Sequence, residues 1–104
     1  MSEGPLDVDH FMNLVTEAQD RDPKLTLIQA GLLVAASHGL AGDSRSFARM
    51  LALEHALVLR ELNLLVERGG ILEATKRDLR TMRVHYALVR EAFAEGDFVI
   101  TRLV

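Results

Sequence analysis

The sequence predicts a mainly α-helical domain that carries one small β-hairpin, and a change of pattern along the chain supports this. Apolar residues recur at intervals of three and four in several segments before Gly69-Gly70, which is the period of amphipathic helices. After that glycine pair the interval becomes two, which is the period of a β-strand. A length of 104 residues fits a single domain with one hydrophobic core.

Composition excludes several classes of protein. Hydrophobic residues make up 49% of the chain and charged residues 26%, which is ordinary for a globular protein and excludes a mostly disordered one. The absence of cysteine excludes disulfides and thiolate metal sites. The N-terminal segment is too acidic for a signal or transit peptide, and no apolar run approaches the roughly 18 residues of a transmembrane segment. We therefore expect a cytoplasmic protein with no membrane association.

Two helices are predicted before Gly39. The first runs from about Asp7 to Gln19, and Pro23 follows it as a helix breaker. Its apolar face consists of Val8, Phe11, Leu14, Val15 and Ala18. The second runs from about Thr26 to His38, where Thr26 and Gln29 have the spacing of a capping box. This second helix is apolar on most sides, so we expect it to be buried.

A short third helix and a longer fourth helix follow. Asp43 or Ser44 can cap the third, which runs to about Leu51, and the fourth lies within Leu51 to Gly70. The fourth helix divides into two faces. Val58, Leu62, Leu65 and Gly69 are expected to face a core, whereas Ala56, Arg60, Asn63 and Glu67 form a polar stripe opposite. Arginine and asparagine side chains fit guanine and adenine edges, although the same stripe also fits a merely solvated face.

The period of two after the glycine pair predicts a hairpin. Residues 71–75 and 82–88 form its strands, and the basic segment Lys76 to Arg80 forms its tip. A helix-turn-helix followed by a basic-tipped hairpin is a winged helix-turn-helix. Residues 89–95 are expected to form a short helix, and an apolar tail follows it.

Charge is distributed unevenly along the chain. Its net charge is -3, but residues 1–43 carry a net -5, residues 44–90 a net +4 and residues 91–104 a net -2. A basic middle between acidic ends is typical of a DNA-facing half beside an assembly half, although chance clustering gives the same pattern.

From Leu25 to about Leu88 the sequence resembles winged-helix transcription regulators of the MarR type. The resemblance rests on short motifs at the family's spacing, namely Leu25-Thr26, Phe47-Ala48, Leu51-Ala52-Leu53, Val58, Arg60, Leu65, Glu67-Arg68-Gly69 and Asp78-Leu79-Arg80. Two features depart from the family. Residues 54–57 replace its usual small hydroxyl residues, and we expect no counterpart of its long C-terminal pairing helices in the 14 residues after Arg90. We expect a single domain over residues 1–104, with an assembly helix (7–19), a winged-helix core (25–88) and a C-terminal extension (89–104).

The resemblance implies a transcription regulator that binds double-stranded DNA sequence-specifically as a homodimer. The expected DNA-binding residues are Ser44, Arg45, Ser46, Arg49, His55, Ala56, Leu59, Arg60, Asn63, Lys76, Arg77 and Arg80. Of these, Arg60 and Asn63 are expected at base edges, the third helix at phosphates, and the hairpin along the backbone or in the minor groove. The candidate dimer-interface residues are Phe11, Leu14, Phe98 and Ile100.

A winged helix used for protein contact is the main alternative, because Leu57, Leu59, Leu64 and Val66 widen the apolar arc of the fourth helix. An enzyme is not expected. The four histidines lie in four separate predicted elements, and no serine lies in a nucleophile-elbow sequence. We therefore expect no cofactor and no metal, and the sequence leaves open whether a small effector binds.

Overall fold

A computed structural model describes residues 7–89 of the chain. Within them lie four helices and two strands, which are α1 (Val8–Arg21), α2 (Leu27–Ser37), α3 (Ser44–Leu51), α4 (His55–Arg68), β1 (Leu72–Asp78) and β2 (Arg83–Leu88). The predicted mainly helical fold with a small antiparallel hairpin is thus confirmed. The predicted short helix at 89–95 and the apolar tail lie outside the described residues, apart from residue 89. No helix in the described part of the chain is long and apolar enough to cross a bilayer.

Side chains cap the N-termini of three helices. The Asp7 carboxylate accepts from the His10 backbone N–H at 2.8 Å, and Thr26 and Gln29 form the predicted capping box. Asp43 caps α3 by accepting from two backbone N–H groups. α1 continues two residues past its predicted end and stops at Asp22, because the residue before Pro23 disfavours the helical conformation.

The core surrounds α2, as its composition predicts. α1 packs along one side of α2, and α4 and β2 contact other sides. Gly31 permits a close approach, because a Cβ atom at this position would lie 3.2 Å from Cζ of the fully buried Phe47. The aromatic ring therefore occupies the space that a larger side chain on α2 would need.

α4 presents its predicted apolar face to this core, where Val58, Leu62 and Leu65 are fully buried. Gly69 does not belong to that face. It follows the last turn with φ 82°, a left-handed conformation that favours glycine, and it is exposed. Glu61, which precedes Leu62 on α4, is also buried, and its carboxylate accepts a hydrogen bond from the Thr26 hydroxyl at 2.9 Å. This hydrogen bond ties the start of α2 to the middle of α4.

The hairpin is longer than predicted. Leu72 pairs with Leu88 and Ala74 with Tyr86, but Lys76 pairs with His85, so Thr75 is an extra residue in β1. Beyond this β-bulge, pairing continues to Asp78, and the turn consists of residues 79–82. The Asp78 carboxylate accepts from the backbone N–H of Arg80 at 3.0 Å and supports that turn. The prediction that Lys76 and Arg77 form the tip is therefore wrong, because both lie within β1.

Candidate nucleic-acid interface

The outer face of α4 is polar and largely exposed. The Arg60 side chain is 69% exposed and forms an ion pair with Glu61, with 3.5 Å between Nη2 and Oε2. Ala56 is exposed one turn earlier, and Asn63 is half-buried one turn later. These three residues of the predicted stripe share one side of the helix, and the larger two can reach a ligand laid along it.

β1 approaches this face through Arg77. Its Nη1 donates a hydrogen bond to Oδ1 of Asn63 over 3.3 Å, although the two residues belong to different elements. Leu59, Met82 and Arg83 help to line the shallow cleft of about 60 Å³ beside this pair. The structure therefore brings together the α4 stripe and one of the predicted hairpin cations.

The bulge at Thr75 determines which cation faces α4. Residues directly opposite each other in an antiparallel pair lie on the same face of the sheet. Arg77 lies opposite the buried Val84, whereas Lys76 lies opposite His85. Lys76 is consequently on the other face of the hairpin, and it is exposed there. A regular strand without the extra residue would exchange the two orientations.

The hairpin turn carries both a cation and apolar side chains. Arg80 is exposed in the turn. The hydrogen bond from its backbone N–H is the leading cause that holds the pKa of Asp78 below its ordinary value. Leu79 and Met82 are 83% and 54% exposed. The sequence pattern places Leu79 in a family motif and Met82 in a strand, and it does not predict that both side chains are exposed.

The start of α3 does not offer its serines to a ligand. Ser44 is fully buried, and Ser46 Oγ donates to Asp43 Oδ1 at 2.7 Å. Burial raises the pKa of Asp43, but hydrogen bonds from Ser46 and the charge of Arg83 outweigh this and lower it below the ordinary value. An ionised Asp43 therefore already occupies the helix N-terminus and repels a phosphate there. The full burial of Ser44 argues against its predicted phosphate contact, whereas the contact predicted for the half-buried Ser46 stays a prediction.

The two arginines of α3 differ in their contacts. Arg45 donates to the Thr81 carbonyl oxygen from Nε at 3.0 Å and from Nη2 at 2.8 Å, which ties α3 to the hairpin turn. Arg49 lies one helical turn later and is exposed. Arg83, which was not among the predicted site residues, forms an ion pair with Asp43, with 3.5 Å between Nε and Oδ2. These arginines extend the cationic region from the hairpin to α3.

His55 has a structural partner. Its Nε2 lies 2.8 Å from Ser44 Oγ, which accepts a hydrogen bond from the Val84 backbone N–H at 2.9 Å. Burial first, and then the charges of Arg45 and Arg83, lower the pKa of His55, which favours a neutral ring that shares a hydrogen bond with the Ser44 hydroxyl. His55 thus takes part in a link between α3, α4 and β2, and its predicted DNA contact stays a prediction.

The apolar arc predicted on α4 is mostly covered. Leu59 and Val66 pack against the core, and Leu57 is half-buried. Leu64 remains 50% exposed. An extended apolar docking patch is therefore not present on α4.

Two candidate dimer-interface residues belong to the core of the chain itself. Phe11 and Leu14 are only 6% and 3% exposed, so other residues of the same chain already cover them. The other two, Phe98 and Ile100, lie outside the described residues. The exposed apolar residues near Phe11 are instead Val8, Met12, Leu27 and Met50.

No group of three or more histidine, aspartate or glutamate side chains within residues 7–89 is placed to hold a metal ion. Comparison with known proteins yields no relative: no family model, no curated protein and no solved structure matches the chain.

Proposed function

We propose that this protein is a transcription regulator of the MarR-like, winged helix-turn-helix kind, which binds double-stranded DNA sequence-specifically as a homodimer in the cytoplasm. The observation that carries the proposal is the contact between Asn63 on α4 and Arg77 on β1, because it unites a polar helix face with a cationic hairpin. An α-helix fits the major groove of B-DNA, which is about 12 Å wide. A hairpin held beside that helix then lies next to the phosphate backbone or the minor groove.

In this proposal the residues that contact DNA have two different roles. Arg60 and Asn63 reach base edges from α4, and exposed Ala56 contacts a thymine methyl group. Arg45, Arg49 and Arg80 contact phosphates and fix the position of the protein without reading sequence, whereas Lys76 lies on the hairpin face away from α4 and makes no DNA contact. Ser44, Ser46 and His55 stabilise the interface through hydrogen bonds within the chain.

We assign the chain no catalytic role. The Ser44–His55 pair has the spacing of a nucleophile and its base, at 2.8 Å. However, Ser44 is fully buried, and the Val84 N–H holds its hydroxyl oxygen. A substrate cannot approach that oxygen while the fold is intact.

Homodimerisation requires a surface away from α4 and the hairpin. α1, the start of α2 and the end of α3 supply one. Leu27 is 55% exposed beside an apolar depression of about 220 Å³, and Val8 is 76% exposed beside another of about 160 Å³. Apolar side chains that protrude beside a depression on the same face can fit a second copy, as a two-fold interface requires. This surface shares no residue with the cleft beside Asn63 and Arg77.

Protein contact is the second candidate function, and the exposed Leu79 and Met82 in the hairpin turn favour it. Ionic strength separates the two candidates. DNA binding through phosphates releases counterions, so the logarithm of the binding constant falls by about 0.9 per phosphate for each unit rise in log salt concentration. We expect such a slope when binding to random duplex DNA is titrated at a series of salt concentrations. Selection of bound duplexes from a pool of random sequences should then give a two-fold-symmetric binding site. Absent or salt-independent duplex binding would favour protein contact.

A further inference from the structure

The Asn63 amide meets β1 through its oxygen. Arg77 donates from Nη1 to Oδ1 of Asn63 over 3.3 Å. A guanidinium group carries only donors, so the amide atom that faces it is the oxygen. The amide nitrogen, with its two N–H donors, is left for another partner. The orientation of this amide therefore depends on a residue in a different element.

The backbone fixes this arrangement. The extra residue Thr75 places Arg77 on the α4 side of the hairpin and Lys76 on the other side. Arg45 ties the following turn to α3 through the Thr81 carbonyl oxygen. The hairpin is thus anchored to α3 just beyond Arg77, and the Arg77 side chain reaches Asn63 without a rearrangement of β1.

We propose that Arg77 is a positioning residue that restricts Asn63 to hydrogen-bond acceptors on the base edge. This inference rests on the proposed function, since it concerns how the same interface reads DNA. Asparagine recognises adenine with both amide atoms, because the oxygen accepts from N6 and the nitrogen donates to N7. Arg77 occupies one lone pair of the amide oxygen and holds that oxygen toward β1, so Asn63 presents mainly its N–H donors to a base edge. Guanine N7 and O6 and thymine O4 are the matching acceptors, and adenine loses its second hydrogen bond.

Arg77 is exposed, and the donors that do not contact Asn63 can hold a phosphate oxygen. Phosphate, Arg77, Asn63 and base then form one chain of hydrogen bonds. The position of the DNA backbone is thereby coupled to the reading of one base pair.

The test compares the duplex sequences selected by the parent and by Arg77→Met, a side chain of similar length without a donor. Lys76→Met is the matched control, because it removes a neighbouring cation from the opposite face of the hairpin. Asn63→Ala identifies the base pair that Asn63 reads, since preference is lost there. At that pair the parent should favour guanine or thymine, and Arg77→Met should gain about tenfold in relative preference for adenine. Lys76→Met should keep the parent preference.

A second measurement needs no DNA. The side-chain amide resonances of Asn63 should shift in Arg77→Met and stay unchanged in Lys76→Met. Unmoved resonances, or an unchanged base preference in Arg77→Met, would overturn the positioning role. A shifted Asn63 amide in a protein that selects no sequence would instead overturn the proposed function and leave the contact itself intact.

Discussion

Ser44 Oγ lies 2.8 Å from Nε2 of His55 and also accepts the backbone N–H of Val84. These hydrogen bonds join the first turns of α3 and α4 to β2, at a serine that is fully buried. Protonation of His55 places a hydrogen on both ring nitrogens, so the Ser44 hydroxyl can then no longer donate to Nε2.

This relationship predicts a loss of stability in acid. Burial, followed by the charges of Arg45 and Arg83, lowers the pKa of His55 below its ordinary value of 6.5 in the folded chain, and Asp43 opposes them. Below that value the unfolded chain binds more protons than the folded one. The contribution of His55 to the free energy of unfolding is therefore fully present above about pH 6.5 and is lost as the pH falls. Thermal melts at a series of pH values measure the effect. His55→Gln, which keeps an acceptor near the position of Nε2, should show a weaker dependence on pH.

His38 supplies a reference for that measurement, because burial lowers its pKa also, with a smaller effect from His10. His38 does not contact Ser44, so His38→Gln should reduce the dependence on pH separately from His55→Gln. Equal dependence in the parent and in His55→Gln would contradict the role assigned to His55.

Arg60→Ala should cause a selective defect in DNA recognition. Its side chain is 69% exposed, so solvent screens the ion pair with Glu61. The free energy of unfolding should change by no more than about 0.5 kcal/mol, and the melting temperature should change little. Loss of a base-reading arginine should cost roughly 1–3 kcal/mol of binding to the selected site and little for random duplex. Competition binding with both duplexes tests this. If the variant discriminates as well as the parent does, Arg60 does not read a base.

Arg80→Ala should weaken binding to all duplexes about equally, because a phosphate contact carries no sequence information. The slope of log affinity against log salt should become shallower by about one unit. Arg21→Ala is the matched control, since Arg21 is an exposed cation at the end of α1. Equal slopes for Arg80→Ala and Arg21→Ala would show that the hairpin turn is only solvated.

Leu27→Glu should dissociate the homodimer. Leu27 is the first residue of α2, where an acidic side chain suits the helix dipole, so folding should be preserved. Leu64→Glu is the matched control, because Leu64 is 50% exposed on α4 and a glutamate there can pair with Arg68 one turn later. Sedimentation equilibrium without DNA should give a dimer for the parent and Leu64→Glu, and at least about tenfold weaker association for Leu27→Glu. A monomeric parent at tens of micromolar would refute the dimer.

The period of the apolar residues and the local capping pairs determined the helices and the start of the hairpin. Thr26 with Gln29, and Asp43 ahead of α3, act over three residues or fewer, so their hydrogen bonds follow from spacing alone. The core face of α4 follows in the same way from the interval between Val58, Leu62 and Leu65.

Only the tertiary structure decided which polar side chains remain available to a ligand. The position of Ser44 at a helix N-terminus predicts a phosphate ligand, but its hydroxyl oxygen accepts a hydrogen bond from the backbone N–H of Val84, which is distant in sequence. The bulge at Thr75 exchanged the orientations of Lys76 and Arg77, because one extra residue inverts the alternation of a strand. Both outcomes depend on partners brought together by packing, and local spacing along the chain carries no information about such partners.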